Sequence, residues 1–112
     1  MLPTIAIVDD DPHDLDLLIE AFKRTDFVGD ISTFHDGTAY LEHLSEAPSP
    51  PTLTLLDLHM PGDDGFEVVQ RIRAAKMYCP VVVLTSSWKQ SDIDDAYRLG
   101  ANAVVLKPVV LG

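Results

Sequence analysis

The sequence predicts a single α/β domain built on a doubly wound, five-stranded parallel sheet. Short apolar runs alternate with amphipathic stretches along the whole chain, and this alternation is typical of consecutive βαβ units. Some of the apolar runs are continuous rather than alternating, which is expected of strands that are buried on both faces. At 112 residues, the chain has the length of one domain, spanning residues 1–112.

The five predicted strands are separated by four predicted helices. The β-branched run at residues 80–85 (PVVVLT) is the strongest strand signal, and the other strands are Thr4–Val8, Asp30–Phe34, Leu53–Asp57 and Ala103–Leu106. The helices are predicted where apolar residues recur at helical spacing. The first starts at Pro12, the second spans residues 37–45, the third carries Phe66, Val69 and Ile72, and the fourth ends at Gly100.

Acidic residues dominate the charge of the chain. Asp and Glu number 18 against 8 Lys and Arg, which gives a formal net charge of −10. Such a surface repels the phosphates of nucleic acids and of anionic membranes, so direct binding to either is not expected. Cys79 is the single cysteine, which excludes an intrachain disulfide and suits a reducing compartment. With no signal peptide or long apolar run in the sequence, the protein is predicted to be cytoplasmic.

Polar residues occur where the predicted strands end. In an open parallel sheet, ligands bind beyond the carboxyl ends of the strands, so side chains at these positions converge at one edge. Three aspartates follow the first strand, an aspartate ends the third, a threonine ends the fourth and a lysine follows the fifth. These residues are Asp9, Asp10, Asp11, Asp57, Thr85 and Lys107.

This combination favours phosphoryl transfer to a carboxylate. Neighbouring carboxylates cannot all stay ionised without a cation, and Mg²⁺ suits a site made of carboxylates, waters and phosphate oxygens. Asp57 would be the nucleophile. Lys107 and the metal would neutralise charge on the transferring group, and Thr85 would donate a hydrogen bond. Each residue alone has a simpler interpretation as a cap, turn or loop residue, so the prediction depends on their joint occurrence.

Four segments resemble the bacterial response-regulator receiver domain, the family of the chemotaxis regulators. They are residues 5–12 (IAIVDDDP), 55–66 (LLDLHMPGDDGF), 83–86 (VLTS) and 99–108 (LGANAVVLKP). The resemblance extends over residues 4–108, nearly the whole chain. It implies the flavodoxin-like strand order 2-1-3-4-5 and a switch that is controlled by phosphorylation.

The resemblance implies a role for each residue of the acidic cluster. Asp57 is the expected phosphoacceptor and a metal ligand. Asp10 is expected to bind Mg²⁺ directly and Asp9 to bind it through a water, while Asp11 is left as a helix cap. The main-chain carbonyl of His59 is the expected third protein ligand of the metal.

The resemblance also implies which residues contact the phosphoryl group. Lys107 and Thr85 match the lysine and the switch hydroxyl of the family, and Ser86 and Leu58 are expected beside the same group. Ser86 is small enough to leave the phosphoacceptor accessible. The side chain of His59 has two interpretations: it steers an attacking water, or it is an exposed loop imidazole.

Two features differ from the family pattern. Val104 occupies the position on the fifth strand where the family often has Tyr or Phe, so signal transmission through that ring is not expected. The sequence ends at residues 109–112 (VVLG), where receivers usually continue into a fifth helix. We therefore expect a single receiver domain without that helix. One face of the last two strands would then be uncovered, with homodimer formation as one outcome.

The resemblance names classes of partner. A sensor histidine kinase or a phosphotransfer protein would donate the phosphoryl group, and a downstream protein target would respond. Residues 92–102 (DIDDAYRLGAN) and the lack of an output domain look most like single-domain regulators paired with phytochrome-type histidine kinases. No enzymatic activity is expected beyond the domain's own phosphorylation and dephosphorylation.

Two alternatives stay open. Asp9 and Asp11 also fit the DxD motif of haloacid-dehalogenase-type phosphatases, although the short chain and the unexplained Asp57 count against such an enzyme. The other alternative is a receiver-like binding module that is never phosphorylated. The complete acidic set, together with Thr85 and Lys107, counts against that alternative.

Overall fold

Five parallel strands form the sheet in the computed structural model, which describes residues 2–47, 49–60, 63–86 and 89–107. The strands are β1 (Thr4–Val8), β2 (Asp30–Phe34), β3 (Leu53–Asp57), β4 (Val81–Thr85) and β5 (Ala103–Leu106). Their spatial order is β2-β1-β3-β4-β5, and every neighbouring pair is parallel. The predicted fold class and strand order are therefore confirmed.

One strand begins later than predicted. Pro80 was expected to open the fourth strand, whereas β4 begins at Val81. Pro80 has no N–H with which to join the ladder. Its carbonyl still accepts a hydrogen bond from the N–H of Thr54, at 3.0 Å. Pro80 thus fixes the register of β4 against β3, although it precedes the first residue of β4.

The described residues contain four helices, which are α1 (Pro12–Lys23), α2 (Gly37–Glu46), α3 (Gly65–Ala74) and α4 (Gln90–Leu99). Three of them begin after an aspartate whose carboxylate accepts a hydrogen bond from a backbone N–H of the first turn. These caps are Asp11, Asp36 and Asp64. The prediction of Asp11 as a helix cap is confirmed, and Gly100 ends α4 in the left-handed conformation, with φ of 119°.

The helices cover the sheet from both faces. Successive residues of β1 point to opposite faces. Ile5 and Ile7 belong to the core packed on α1, together with Leu15. Ala6 and Val8 belong to the larger core on the other face, to which the remaining helices contribute Tyr40, Leu44, Val68, Val69, Ile72 and Ala96. This division between two cores is the doubly wound arrangement that the continuous apolar strands predicted.

The α1 face of the sheet is partly open at its β4–β5 edge. Val82 pairs with Ala103, and Leu84 pairs with Val105. Leu84 is buried, but Val105 is 41% exposed. Residues 108–112 lie outside the described residues, as does the expectation that a fifth helix is absent. Val104, on the opposite face of β5, is partly buried against the larger core.

Arg73, near the end of α3, ties three segments together at the amino end of the sheet. Its guanidinium donates to the carbonyls of Met77, Cys79 and Gly100 and to the side-chain oxygen of Asn102, at 2.7 to 3.0 Å. The same Asn102 oxygen accepts a hydrogen bond from the first N–H of β4 at 2.9 Å. We call these contacts the Arg73 clamp. The clamp fixes the end of α4 against α3 and the start of β4.

No helix in the part of the chain that the structure describes is long and apolar enough to cross a bilayer.

Candidate functional site

The carboxyl ends of the central strands bring the predicted acidic residues together. Asp57 is the last residue of β3, and Asp9 and Asp10 directly follow β1. Since β1 and β3 are hydrogen-bonded neighbours, the three carboxylates lie close. Each offers an oxygen within 4.8 Å of the others. Asp9 and Asp57 are buried, and Asp10 is half-buried.

Asp9 is the most enclosed of the three carboxylates, and its side chain is 1% exposed. One carboxylate oxygen accepts the N–H of Asp11 at 3.0 Å. The other accepts the Lys107 ammonium at 2.7 Å. Buried charges are stable only when they are paired in this way. Asp9 is therefore held rigidly at the base of the site.

The surroundings of Asp57 oppose the ionisation of its carboxyl group. Burial raises the pKa of Asp57 to about 6, and the charges of Asp9 and Asp10 act in the same direction. Lys107 and the His59 N–H, which lies 3.3 Å from a carboxylate oxygen, act in the opposite direction. The remaining repulsion is of the kind that a divalent cation relieves. Three carboxylates with hard oxygen donors fit a magnesium-type ion.

Lys107 follows β5 and brings the positive charge. Its ammonium lies 2.7 Å from Asp9, 2.9 Å from Asp14 and 3.6 Å from Asp57. Burial opposes the charge, but the hydrogen bonds to Asp9 and Asp14 outweigh it and raise the pKa of Lys107 above its ordinary value. Lys107 is therefore always charged in this site.

Asp14 was missed by the sequence analysis. It lies in the first turn of α1, and the amino end of α1 faces the carboxyl edge of the sheet. The available signal was its place in the first turn of the helix that directly follows the three aspartates after β1.

Thr85 and Ser86 complete the edge on the β4 side. Thr85 is fully buried as the last residue of β4, and its carbonyl accepts the backbone N–H of Lys107 at 2.7 Å. Ser86 is exposed and lines the cavity above Asp57. Ser86 therefore lines the cavity, and Thr85 lies at the strand end beside it.

Leu58 is not placed as predicted. Its side chain is buried in the larger core, where 1% of the residue is exposed. Its N–H donates to the carbonyl of Leu84 at 2.9 Å, and its carbonyl accepts the N–H of Gly65 at 3.0 Å. Both backbone groups therefore serve the sheet and the start of α3. The N–H that faces the Asp57 carboxylate belongs to the next residue, His59.

The turn after Asp57 is held close by Gly65. A β-carbon at this position would lie 2.6 Å from the carbonyl oxygen of Leu58 and 2.8 Å from that of Asp57. Only glycine allows so close an approach of α3 to the backbone of the predicted phosphoacceptor. His59 and Met60 then pair with Asp63 and Asp64 in a two-residue antiparallel ladder, which the sequence analysis did not predict.

The side chain of His59 is exposed and turned toward α4. Its Nε2 lies 3.6 Å from a carboxylate oxygen of Asp92, and the ring meets the ring of Phe66 edge-on. His59 also lines the cavity above Asp57.

A cavity of about 420 Å³ opens directly above the three carboxylates. Leu17 and Leu18 of α1 form its apolar wall, and the remaining lining is polar and charged, contributed by Asp10, Asp11, Asp14, Asp57, His59, Ser86 and Lys107. The cavity leaves room for a phosphoryl group and for the group that delivers it.

The family model for the response regulator receiver domain matches residues 5–111. The chain belongs to this family. Receiver domains bind divalent metals through acidic residues and interact with histidine kinases and downstream targets. The predicted receiver domain of a two-component system is confirmed, and the alternative of a haloacid-dehalogenase-type phosphatase is not supported.

Two curated relatives show how much of a receiver protein this chain covers. The probable methanogenesis regulatory protein FilR2 of Methanothrix harundinacea (strain 6Ac) is 36% identical over 111 residues, which cover 94% of this chain and 72% of that protein. The response regulator Rcp1 of Synechocystis sp. (strain ATCC 27184 / PCC 6803 / Kazusa) is 34% identical over 110 residues, which cover 92% of this chain and 75% of that protein.

Solved receiver structures agree with the fold. The Mn²⁺-bound form of Rcp1 has a TM-score of 0.86 and 33% identity, covering 97% of this chain and 84% of that chain. The phosphorylated cyanobacterial phytochrome response regulator RcpA has a TM-score of 0.89 and 31% identity, covering 99% of this chain and 84% of that chain. The predicted likeness to phytochrome-associated receivers is confirmed.

Proposed function

We propose that this receiver takes a phosphoryl group onto Asp57 in a Mg²⁺-dependent reaction. One observation supports the proposal above all others. The Asp57 carboxylate lies at the base of an open cavity, within 4.8 Å of oxygens from Asp9 and Asp10 and 3.6 Å from the Lys107 ammonium. A carboxyl with a pKa of about 6 is ionised at neutral pH. Asp57 is therefore available as a nucleophile.

The transfer itself is a simple displacement at phosphorus. A carboxylate oxygen of Asp57 attacks the phosphorus of a phosphohistidine. The bond from phosphorus to the donor nitrogen breaks, and the imidazole leaves with the electron pair. Lys107 stabilises the charge on the phosphoryl oxygens, and no proton has to be removed from the nucleophile.

The metal site follows from the oxygen donors of the chain. Asp10, Asp57 and the main-chain carbonyl of His59 would bind Mg²⁺ directly, and Asp9 would bind it through a water. When bound, the ion neutralises charge on the phosphoryl oxygens and on the carboxylates. Asp9 is already paired with Lys107, which supports an indirect role for it.

The phosphoryl contacts are assigned to three side chains and one backbone group. Lys107, the Thr85 hydroxyl and Ser86 keep the roles that the resemblance implied. The N–H of His59 replaces Leu58, because it already points at a carboxylate oxygen of Asp57 whereas the N–H of Leu58 is engaged with Leu84.

The partners are proposed by class. A sensor histidine kinase of the phytochrome type, or a phosphotransfer protein, would supply the phosphoryl group, and a downstream protein would read the phosphorylated state. No other catalytic activity and no direct binding to nucleic acid or membrane are proposed, given the formal net charge of −10. A cytoplasmic location suits the single Cys79 and a cytoplasmic kinase.

Self-association is proposed through the open face of β4 and β5. Val105 and the half-buried Val82 share this face, and exposed apolar surface of this kind favours association. Light scattering should give a mass above that of a monomer, and Val105→Lys should restore the monomer. The control is Val28→Lys, because Val28 is 68% exposed elsewhere on the surface. A stable wild-type monomer would rule out this part of the proposal.

Intact-mass measurement with acetyl phosphate tests the central claim. With Mg²⁺, the wild-type protein should gain the mass of one phosphoryl group, and borohydride reduction followed by peptide mapping should place it on Asp57. Chelation of the metal or the change Asp57→Asn should abolish the gain. Labelling on Asp9 would instead indicate a phosphatase-type nucleophile, and no labelling in the presence of Mg²⁺ would indicate a binding module that is never phosphorylated.

A further inference from the structure

The ammonium of Lys107 is shared unequally among three carboxylates. It hydrogen-bonds to Asp9 at 2.7 Å and to Asp14 at 2.9 Å, while Asp57 is 3.6 Å away. An ammonium has three donors in a compact arrangement. Two of them are therefore engaged on the α1 side of the site, away from the carboxylate that receives the phosphoryl group in the proposed function.

The contact with Asp14 differs in kind from the contact with Asp9. Asp9 is fully buried and belongs to the acidic cluster, so it needs Lys107 for its own stability. The side chain of Asp14 is 31% exposed and lies outside the three-carboxylate group. Water therefore reaches the carboxylate of Asp14. Its hydrogen bond to Lys107 therefore affects the lysine more than it affects Asp14.

Asp14 also adds a negative charge to the cavity wall. The carboxylates of Asp9, Asp14 and Asp57 lie within 4 Å of the ammonium, and a fourth, that of Asp10, lines the same cavity. An incoming phosphoryl group is anionic, so each additional carboxylate within a few ångströms opposes it. Divalent cations are attracted by the same charge. The carboxylate of Asp14 thus disfavours binding of the phosphoryl group and favours binding of the divalent cation.

We propose that Asp14 is a positioning residue that holds Lys107 on the α1 side of the site, weakening the binding of the phosphoryl group while strengthening the binding of Mg²⁺. The proposal rests on the function proposed above for Asp57. Without Asp14, the freed donor of Lys107 would turn to Asp57 or to the phosphoryl oxygens on it. Lys107 would then compete with the metal in the unphosphorylated protein and support the phosphoryl group more fully.

Two affinities in Asp14→Asn test the proposal, both measured by calorimetry in 0.15 M salt. The dissociation constant of Mg²⁺ should rise about 3- to 10-fold, whereas that of beryllofluoride at saturating Mg²⁺ should fall by a similar factor. The rate of labelling by acetyl phosphate should rise in parallel. Asp14→Ser provides a second neutral variant, and Asp14→Glu should restore values near those of the wild type.

The matched control is Asp16→Asn. Asp16 is exposed on the same helix and does not line the cavity, so its loss removes the same charge where salt screens it more effectively. Equal effects in Asp14→Asn and Asp16→Asn would overturn the proposal, because they would indicate general charge rather than the hydrogen bond. A change of both affinities in one direction, or of neither, would overturn it too.

The wild-type protein separates this inference from the proposed function. If wild-type protein takes up the phosphoryl group on Asp57 but Asp14→Asn and Asp14→Ser behave like it, the inference on Asp14 fails alone. If the wild type is not labelled at all, the proposed function itself fails.

Discussion

The charge on Asp57 is unfavourable in the folded protein when no metal is present. Burial is the main cause, and it raises the pKa of this carboxyl from 3.8 to about 6. A raised pKa in the folded state means that the folded protein binds the proton more tightly than the unfolded chain does. Stability is therefore lost as the pH rises from about 4 to about 6, and the loss is complete above the folded pKa.

Removal of this charge should stabilise the metal-free protein. A shift of this size corresponds to about 3 kcal/mol if it is fully expressed, and solvent screening reduces the expected gain for Asp57→Asn to about 1–2 kcal/mol at pH 7.5. Urea unfolding in chelator should show this gain at pH 7.5 and its disappearance below pH 4. A gain that is independent of pH would contradict the assignment to this carboxyl.

Contacts of single residues could be predicted only where backbone position determines them. Asp9, Asp10, Asp57 and Lys107 meet because strand ends in a parallel sheet meet, and the sequence shows where the strands end. The bond between Lys107 and Asp14 joins residues that are 93 positions apart and depends on how α1 is rotated. The backbone contacts of Leu58 have a similar cause, since its N–H donates to the carbonyl of Leu84, a hydrogen bond that side-chain patterns do not reveal.

Among the helices, α3 and α4 share a core and are also joined by the side chain of Arg73. The guanidinium of Arg73 makes charge-assisted hydrogen bonds to three carbonyls and to Asn102, and such bonds are stronger than those between neutral groups. Arg73→Ala should lower the free energy of unfolding by about 2–3 kcal/mol. Arg73→Lys should recover little, because an ammonium lacks the planar fork.

The control for the clamp lies two residues away on the same helix. Arg71→Ala removes the same charge, and Arg71 makes an exposed pair with Glu67 at 3.2 Å. A pair of this kind contributes less than about 0.5 kcal/mol. Denaturant titrations of the two variants should differ clearly, and equal losses would show that the clamp adds nothing specific.

Most element boundaries could be predicted, because they depend on local signals. Aspartate caps, Pro12 and Gly100 mark where helices begin and end, and the apolar runs mark the strands. The ladder between His59–Met60 and Asp63–Asp64 was missed. It is too short to have a hydrophobic period, and its pairing follows from the approach of Gly65 to Leu58, a tertiary contact.

At the scale of the whole molecule, metal binding and folding are linked. The three carboxylates come from segments that meet only in the folded state. Mg²⁺ at ten times its dissociation constant should therefore raise the free energy of unfolding by about 1.4 kcal/mol. Chemical denaturation should show this increase relative to sodium chloride of equal ionic strength. Asp10→Asn should lose most of it, and an undiminished increase in that variant would place the ion elsewhere.

The fold could be predicted almost completely because the three central strands are buried on both faces and each connection is short. Parallel strands that alternate with helices allow only a few strand orders. The resemblance to the receiver family implied one of these orders. The partial exposure of Val82 and Val105 agrees with the expectation that one face of the last two strands is uncovered.

The Arg73 clamp also determines how α4 can move. The carbonyl of Gly100 holds one end of α4 to Arg73. The first turn of α4 is held to the segment after Asp57 by the contact of His59 with Asp92. A motion of α4 that preserves the clamp is a rotation of the helix about its Gly100 end. Over ten residues, or about 15 Å, a rotation of about 10° would displace the Gln90 end by about 2.5 Å. The Gln90 end would then move most, and it lies beside His59, which lines the cavity above Asp57.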